Sequence, residues 1–341
     1  MSISNASQFY SARLNRLHQL TKKRNVDFCI LTSPPTLTYY SAHFFYFEHG
    51  PSPFQVIPAV LIASKENESA LLVADNEQVP ESTAVELKIH TYQSYVYRHP
   101  LQVADSFVAG MKDIIGKARS TKIRIGIESS ACPAIIAHTL TDNLGNIEWV
   151  DVSNEIRAER MIKDELEIEM ITRAAALCDI GQRVLQTNIK VGQSELELFS
   201  IVSRAINEGA GTRVPVMADF VSGPRTATGG GIPSGKVTSA GDLLLCDLTP
   251  CLNGYWGDCC GTVAAGTAST SQRRDFETVR DGLSRAIDTI KPGIKASQLD
   301  EFLRKHVSDY PHHSGHGVGT MNHEEPRITP YNEMELQAGM V

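Results

Sequence analysis

Two aspartates, Asp247 and Asp258, flank an Asn253-Gly254 pair within the run Leu243-Leu-Leu-Cys-Asp-Leu-Thr-Pro-Cys-Leu-Asn-Gly-Tyr-Trp-Gly-Asp-Cys-Cys-Gly-Thr262. Asn-Gly between two strand-like runs is a strong hairpin signal, because both residues accept the positive φ of a tight two-residue turn. Asp247 lies six residues before that turn and Asp258 four after it, which puts them on facing strands, roughly opposite. Residues opposed across an antiparallel pair project from one face. Two carboxylates there, in a run as apolar as Leu243–Leu248, repel each other at high cost. Either one is protonated or a cation lies between them, and a divalent ion or a pair of ions resolves the conflict most simply. The competing reading makes Asp258 a solvated turn residue and leaves only Asp247 buried.

A second constellation is Pro311-His-His-Ser-Gly-His316-Gly-Val-Gly-Thr-Met-Asn-His323-Glu-Glu-Pro-Arg327. Four of the eleven histidines (His312, His313, His316 and His323) fall within 12 residues. Glycines on both sides of His316 permit close backbone approach and unusual dihedrals, as the wall of a site often requires. Alone, a histidine-rich loop is equally well a set of surface residues. It gains meaning from the aspartate hairpin.

The elements that must position these residues follow from periodicity. Residues 8–24 read as an amphipathic helix, with Tyr10, Leu14, Leu17 and Leu20 on one stripe. Asp27–Thr32 reads as a buried strand ending at Ser33-Pro34-Pro35. Strand-like runs follow at Val56–Ala63, Ala70–Ala74, Lys88–Tyr92, Lys122–Glu128 and Ile147–Val152, with helical patterns at 100–118 and 133–143. This alternation predicts an α/β domain with a mixed sheet over residues 1–155. The charged segment 153–163 lacks a sustained apolar run and marks the boundary. In 156–341, helices are expected at 164–187, 193–208, about 272–290 and 297–308, around the Gly- and Pro-rich stretch 213–241 and the hairpin.

Taken in order, Asp-x10-Asp, Gly-His-Gly-x-Gly and His-Glu-Glu-Pro resemble metallopeptidase family M24, which includes methionine aminopeptidase, aminopeptidase P, prolidase and the metal-free creatinase. The resemblance extends over nearly the whole chain: residues 8–45 are similar to the opening of the creatinase/prolidase N-terminal domain, and Ile162–Ala176 to the helix that opens the catalytic domain. It implies an α/β N-terminal domain followed by an α+β pita-bread catalytic domain. It also implies that Asp247, Asp258 and His316 are ligands of a two-metal centre. His323 matches the family's second histidine, which contacts substrate and stabilises the tetrahedral intermediate, and His313 matches a pocket-lining position. Glu324 and Glu325 are not ligands by the same comparison. Two ions can lower the pKa of a shared water and clamp both oxygens of the gem-diolate. Such a ligand set suits Mn, Co or Zn, with the harder Mn favoured.

Two departures stand out. The family's two glutamate ligands lie in motifs that this sequence, ending Gly339-Met-Val341, does not reach, so it is expected to be a C-terminally truncated version of a longer protein. In Ser222-Gly-Pro-Arg-Thr-Ala-Thr-Gly-Gly-Gly231, Gly230 stands where a substrate-binding histidine is usual, which implies altered Xaa-Pro specificity unless another histidine, such as His312, reaches across. Three glycines also suggest a phosphate loop, but no Gly-Lys-Ser/Thr follows them.

Composition narrows the class. The net charge of -7 argues against a nucleic-acid partner, and no apolar run approaches the roughly 20 residues of a membrane span. The N-terminus lacks the basic start and apolar stretch of a signal peptide. Seven scattered cysteines form no disulfide framework and read as small buried residues of a reducing cytoplasm rather than a thiolate site. Joined to this composition, the resemblance implies a cytoplasmic, homodimeric exopeptidase acting on a short peptide. The alternatives are a hydrolase of a small non-peptide amide, as creatinase is, and a non-catalytic binding module.

Overall fold

The computed structural model describes residues 6–44, 57–79, 84, 86–116, 122–307 and 310–341. Val56 and the ends of the helical patterns at 117–118 and 308 lie outside them. The chain divides into two compact units, Met1–Glu159 and Arg160–Val341.

The first unit is built on a six-stranded mixed sheet. Its strands are β1 (Phe28–Leu31), β2 (Val60–Ser64), β3 (Ser69–Ala74), β4 (Leu87–Tyr92), β5 (Ile123–Ile127) and β6 (Ile147–Asp151), in the order β4-β3-β2-β1-β5-β6. Strands β2 and β3 are buried along their whole length and β1 at all but Phe28, as expected of strands covered on both faces. Helices α1 (Ala6–Lys23), α3 (Val103–Ile115) and α4 (Ala134–Leu144) follow the expected periodicities. The Ser33-Pro34-Pro35 break is itself the start of a helix, α2 (Pro34–Ser41). Proline is favoured in a first turn, where its missing N–H is not needed, so the break that ends β1 as expected also opens a helix that was not expected. Likewise the charged boundary segment forms α5 (Ser153–Met161).

The second unit is an α+β layer. Strands β7 (Val216–Ser222), β8 (Leu243–Leu252), β9 (Tyr255–Trp256) and β10 (Cys259–Ala264) form a sheet in the order β10-β8-β7, with β9 continuing the hairpin on β8. Strand β7 was not anticipated within the Gly- and Pro-rich stretch. Helices α6 (Glu165–Asn188) and α7 (Glu195–Ala210) each open with a capping box, Asp164 with Glu167 and Ser194 with Glu197, which satisfies the orphan donors of the first turn. Their apolar faces pack against Leu244, Cys246, Leu248 and Phe220 in one core. Because side chains alternate along a strand, the intervening residues of β8, Asp247 among them, project from the opposite face. Helices α8 (Thr270–Thr289) and α9 (Ala296–Val307) and the ribbon of β11 (Gly315–Gly317) and β12 (Glu324–Ile328) complete the unit. Leu299, Leu303, Ile328 and Leu336 join this ribbon to α9 in a second core. No helix among the described residues is long and apolar enough to cross a membrane.

Candidate metal centre

Asn253 and Gly254 both have positive φ, 51° and 80°, so the expected tight turn forms. Its register fixes the aspartates. Asp247 faces Cys260, and Cys259 faces Leu248, so Asp258 is offset by two residues from the position directly opposite Asp247. The pair is diagonal rather than face to face, yet it shares one side of the sheet, and Asp258 is half-buried rather than a solvated turn residue. Gly257 sets the approach: a β-carbon there would lie 2.5 Å from the Ala174 carbonyl oxygen of α6. Only glycine lets the strand pass that close to the helix and still deliver Asp258 to the opposite face.

The ribbon delivers the imidazoles. Neither glycine beside His316 has positive φ; the one that matters, Gly317, is required because a β-carbon would meet the Glu325 carbonyl oxygen at 2.5 Å. The His316 Nδ1–H donates to the Gly317 carbonyl at 2.9 Å, while Nε2 stands 3.5 Å from Asp258 Oδ2. With Nδ1 carrying the proton, the Nε2 lone pair faces the carboxylate, an arrangement that calls for a proton or a cation between them. The His323 ring packs against His316 at a tilt of 47° with centroids 4.3 Å apart, and His313 meets His316 at 5.4 Å, edge to face. Nitrogen and oxygen atoms of Asp258, His316 and His323 lie within 4.8 Å of one another. Asp247 is not a member of that tight group.

The electrostatics point the same way. Burial, then Asp258, then Asp219 push the Asp247 carboxyl up to about 6, and its buried Oδ1 has no hydrogen-bond partner. Burial raises the Asp258 carboxyl as well, against the influence of His316. Burial and the neighbouring histidines hold His313 down at about 4 and lower His323 too, so both rings are neutral at physiological pH. Glu324 turns away: it accepts from Arg160 and Lys163, both nearly or wholly buried. Glu325 caps the Arg327 N–H at 2.9 Å.

Sequence reasoning missed Asp219. In the β7–β8 ladder it stands directly across from Asp247, so β7, β8 and the link between β9 and β10 contribute to one acidic face. The alternation of Val214, Val216, Ala218 and Phe220 could have revealed the strand, but the flanking glycines and prolines masked it. His312 is exposed and donates from Nδ1 to the His313 carbonyl at 3.1 Å; the space beside Gly230 is taken by Asp219 instead. All seven cysteines are free, with Cys260 exposed against expectation. Burial pushes the Cys29 thiol up to about 11 and that of Cys251 to about 12, so these two groups carry their protons at neutral pH.

Residues 13–162 match the creatinase/prolidase N-terminal domain and residues 169–341 match metallopeptidase family M24. Among curated relatives, the Xaa-Pro dipeptidase of Pyrococcus horikoshii is 31% identical over 223 residues, 64% of this chain and 63% of that protein. The aligned part thus spans less than two thirds of the relative's length. Among solved structures, the prolidase of Pyrococcus horikoshii superimposes with a TM-score of 0.78 at 24% identity, covering 96% of this chain and 88% of that one. A prolidase from Thermococcus sibiricus gives 0.79 at 22% identity, covering 97% and 88%. The match over 169–341, together with a fold that superimposes on prolidases over nearly its whole length, shows that the chain belongs to metallopeptidase family M24.

Proposed function

We propose that this chain carries the hydrolytic machinery of an Xaa-Pro dipeptidase or aminopeptidase-like exopeptidase, with an N-terminal domain at 1–155 and a hydrolase domain at 156–341. The observation that carries the reading is Asp247: a carboxyl with a buried, unpartnered oxygen, flanked by two further carboxylates. Such a group is costly unless a cation joins it. The residues present fit divalent metal, with Asp247, Asp258 and His316 as ligands and Mn favoured over Co or Zn. When bound, the two ions supply a water of lowered pKa and a Lewis acid for the scissile carbonyl.

The chain's own side chains do the rest. The Gly317 carbonyl fixes the tautomer of His316 and keeps Nε2 aimed at the Asp258 side of the site. His323, neutral and packed against His316, donates a hydrogen bond to the substrate oxygen that gains negative charge. His313, also neutral, lines the pocket and excludes water from the other edge of His316. The substrate is a short peptide opened near its N-terminal end. The names of the relatives favour this over a non-peptide amide or a binding module. By the same family resemblance the protein acts as a homodimer in the cytoplasm, which size-exclusion measurements and fractionation address.

The deciding experiment takes the full-length protein, removes metal with a chelator, and restores Mn while following cleavage of Xaa-Pro peptides of three to five residues. Hydrolysis that disappears with the metal and returns with it is expected. Full activity in protein free of metal would overturn the reading.

A further inference from the structure

Gly229, Gly230 and Gly231 stand in a row, but for different reasons. Gly229 and Gly231 have φ of +77° and +146°, where a side chain is strained. Gly230 has no such backbone need. What excludes a side chain there is Asp219: a β-carbon on Gly230 would lie 2.6 Å from the carboxyl carbon and from Oδ2. The carboxylate cannot easily swing aside, because the Gly231 N–H donates to Oδ1 at 2.6 Å. The volume into which a side chain at 230 would project is therefore filled by an anion.

Among the described residues no ion pair joins Asp219 to a basic side chain. Arg225 and Lys236, on the loop that follows β7, are engaged elsewhere, Arg225 with Glu195 and Ser234, and Lys236 with Asp242 and Ser222. Asp219 is exposed and directly opposite Asp247, and like charges so placed destabilise a sheet. Asp219 lies on β7, the edge of the sheet away from Asp258 and outside the tight group of Asp258, His316 and His323. That position suits a ligand reaching the metal centre from its flank.

We propose that Asp219 is a specificity-determining residue that receives a cationic group of the substrate, the ammonium or guanidinium of a lysine or arginine in a short peptide. The proposal rests on the peptidase reading above. Carboxylates recognise such groups through charge-assisted hydrogen bonds. A neutral donor at 230 would discriminate far less between cationic and anionic peptides.

The test uses the metal-loaded full-length protein and the peptides Ala-Pro-Lys and Ala-Pro-Glu, with Asp219→Asn as the variant. Asparagine keeps the shape of aspartate and can still accept from Gly231 N–H. Rates give the ratio of kcat/KM for the two peptides. Calorimetry in the slow His323→Ala background gives the ratio of affinities, and elemental analysis gives metal content. A preference for the lysine peptide of about tenfold or more is expected, falling to about twofold or less in Asp219→Asn with metal content unchanged. A preference that survives Asp219→Asn, or none in the parent, overturns the proposal. Loss of metal in Asp219→Asn overturns it by making Asp219 a metal ligand. Lysine-selective binding without hydrolysis would sink the peptidase reading and leave this one standing, and binding of neither peptide would sink both.

Discussion

Glu324 follows His323 directly and offers the sharpest test of how the ribbon is held. Its carboxylate is about nine-tenths buried, as is Arg160, and Lys163 has no exposed side-chain surface. Oε2 accepts from Lys163 Nζ at 3.0 Å, and Oε1 from Arg160 and from the Met321 N–H at 3.2 Å. Changing Glu324 to Gln preserves shape but leaves two cations buried without a counter-charge. Breaking one partner of a buried pair typically costs about 3–5 kcal/mol. For a unit of this size each kcal/mol moves Tm by roughly 2–4 °C, so a fall of about 10 °C is expected at neutral pH. The pH dependence has a definite sign. Burial works against ionisation of Glu324, but Arg160 and Lys163 outweigh it and hold the carboxyl below its ordinary value. A depressed carboxyl contributes stability above its unfolded pKa and loses it as the pH falls through the folded value. The gap in Tm between parent and Glu324→Gln should therefore be widest at neutral pH and shrink toward about pH 3. Circular-dichroism melts of both proteins measure it. A loss under about 2 °C at neutral pH, or a gap equally wide in acid, would refute the view that this triad pins the ribbon.

Asp258→Asn should abolish hydrolysis and lower metal content while leaving the circular-dichroism spectrum unchanged. His323→Ala should lower turnover by on the order of 10²-fold or more with metal content intact; metal loss would make His323 a ligand, as its place within 4.8 Å of Asp258 and His316 permits. The raised Asp247 carboxyl has the opposite linkage to Glu324: metal-free protein should lose stability as the pH rises from the ordinary 3.8 through about 6, and denaturant unfolding of Asp247→Asn should lack that decline. Ala-Pro itself should be a poor substrate, with kcat/KM below about 10⁴ M⁻¹s⁻¹ in steady-state assays, because Gly230 offers no imidazole and Asp219 sits in its place.

The fold was legible wherever periodicity ran long enough. The stripe of Tyr10, Leu14 and Leu17 marked α1, and the strands of the first unit fell within a few residues of the apolar runs. What failed were short elements whose residues carry two meanings. Pro34-Pro35 ends a strand, as expected, and also opens a helix, which only the burial of Leu37, Tyr39 and Tyr40 explains. Segment 153–163 looks like a linker because α5 has few apolar residues, and its charges are spent in ion pairs such as Arg24 with Glu155, a partner remote in sequence.

In the second unit the hairpin was legible because Asn-Gly encodes its own turn, and with it went the placement of Asp247 and Asp258 on one side. The two-residue offset was not, since counting from a turn does not say which residues the ladder pairs. Asp219 shows a deeper limit. Its strand is short, lies beside a proline and three glycines, and pairs with β8 across more than twenty residues of chain, so nothing local announces that it faces Asp247. Gly230 is the reciprocal case. In the sequence it reads as a residue lost from a site, but in the structure it is a consequence: with Asp219 held by Gly231, no side chain fits at 230. The two positions form one choice, made across a strand and a loop, of which charge the pocket presents.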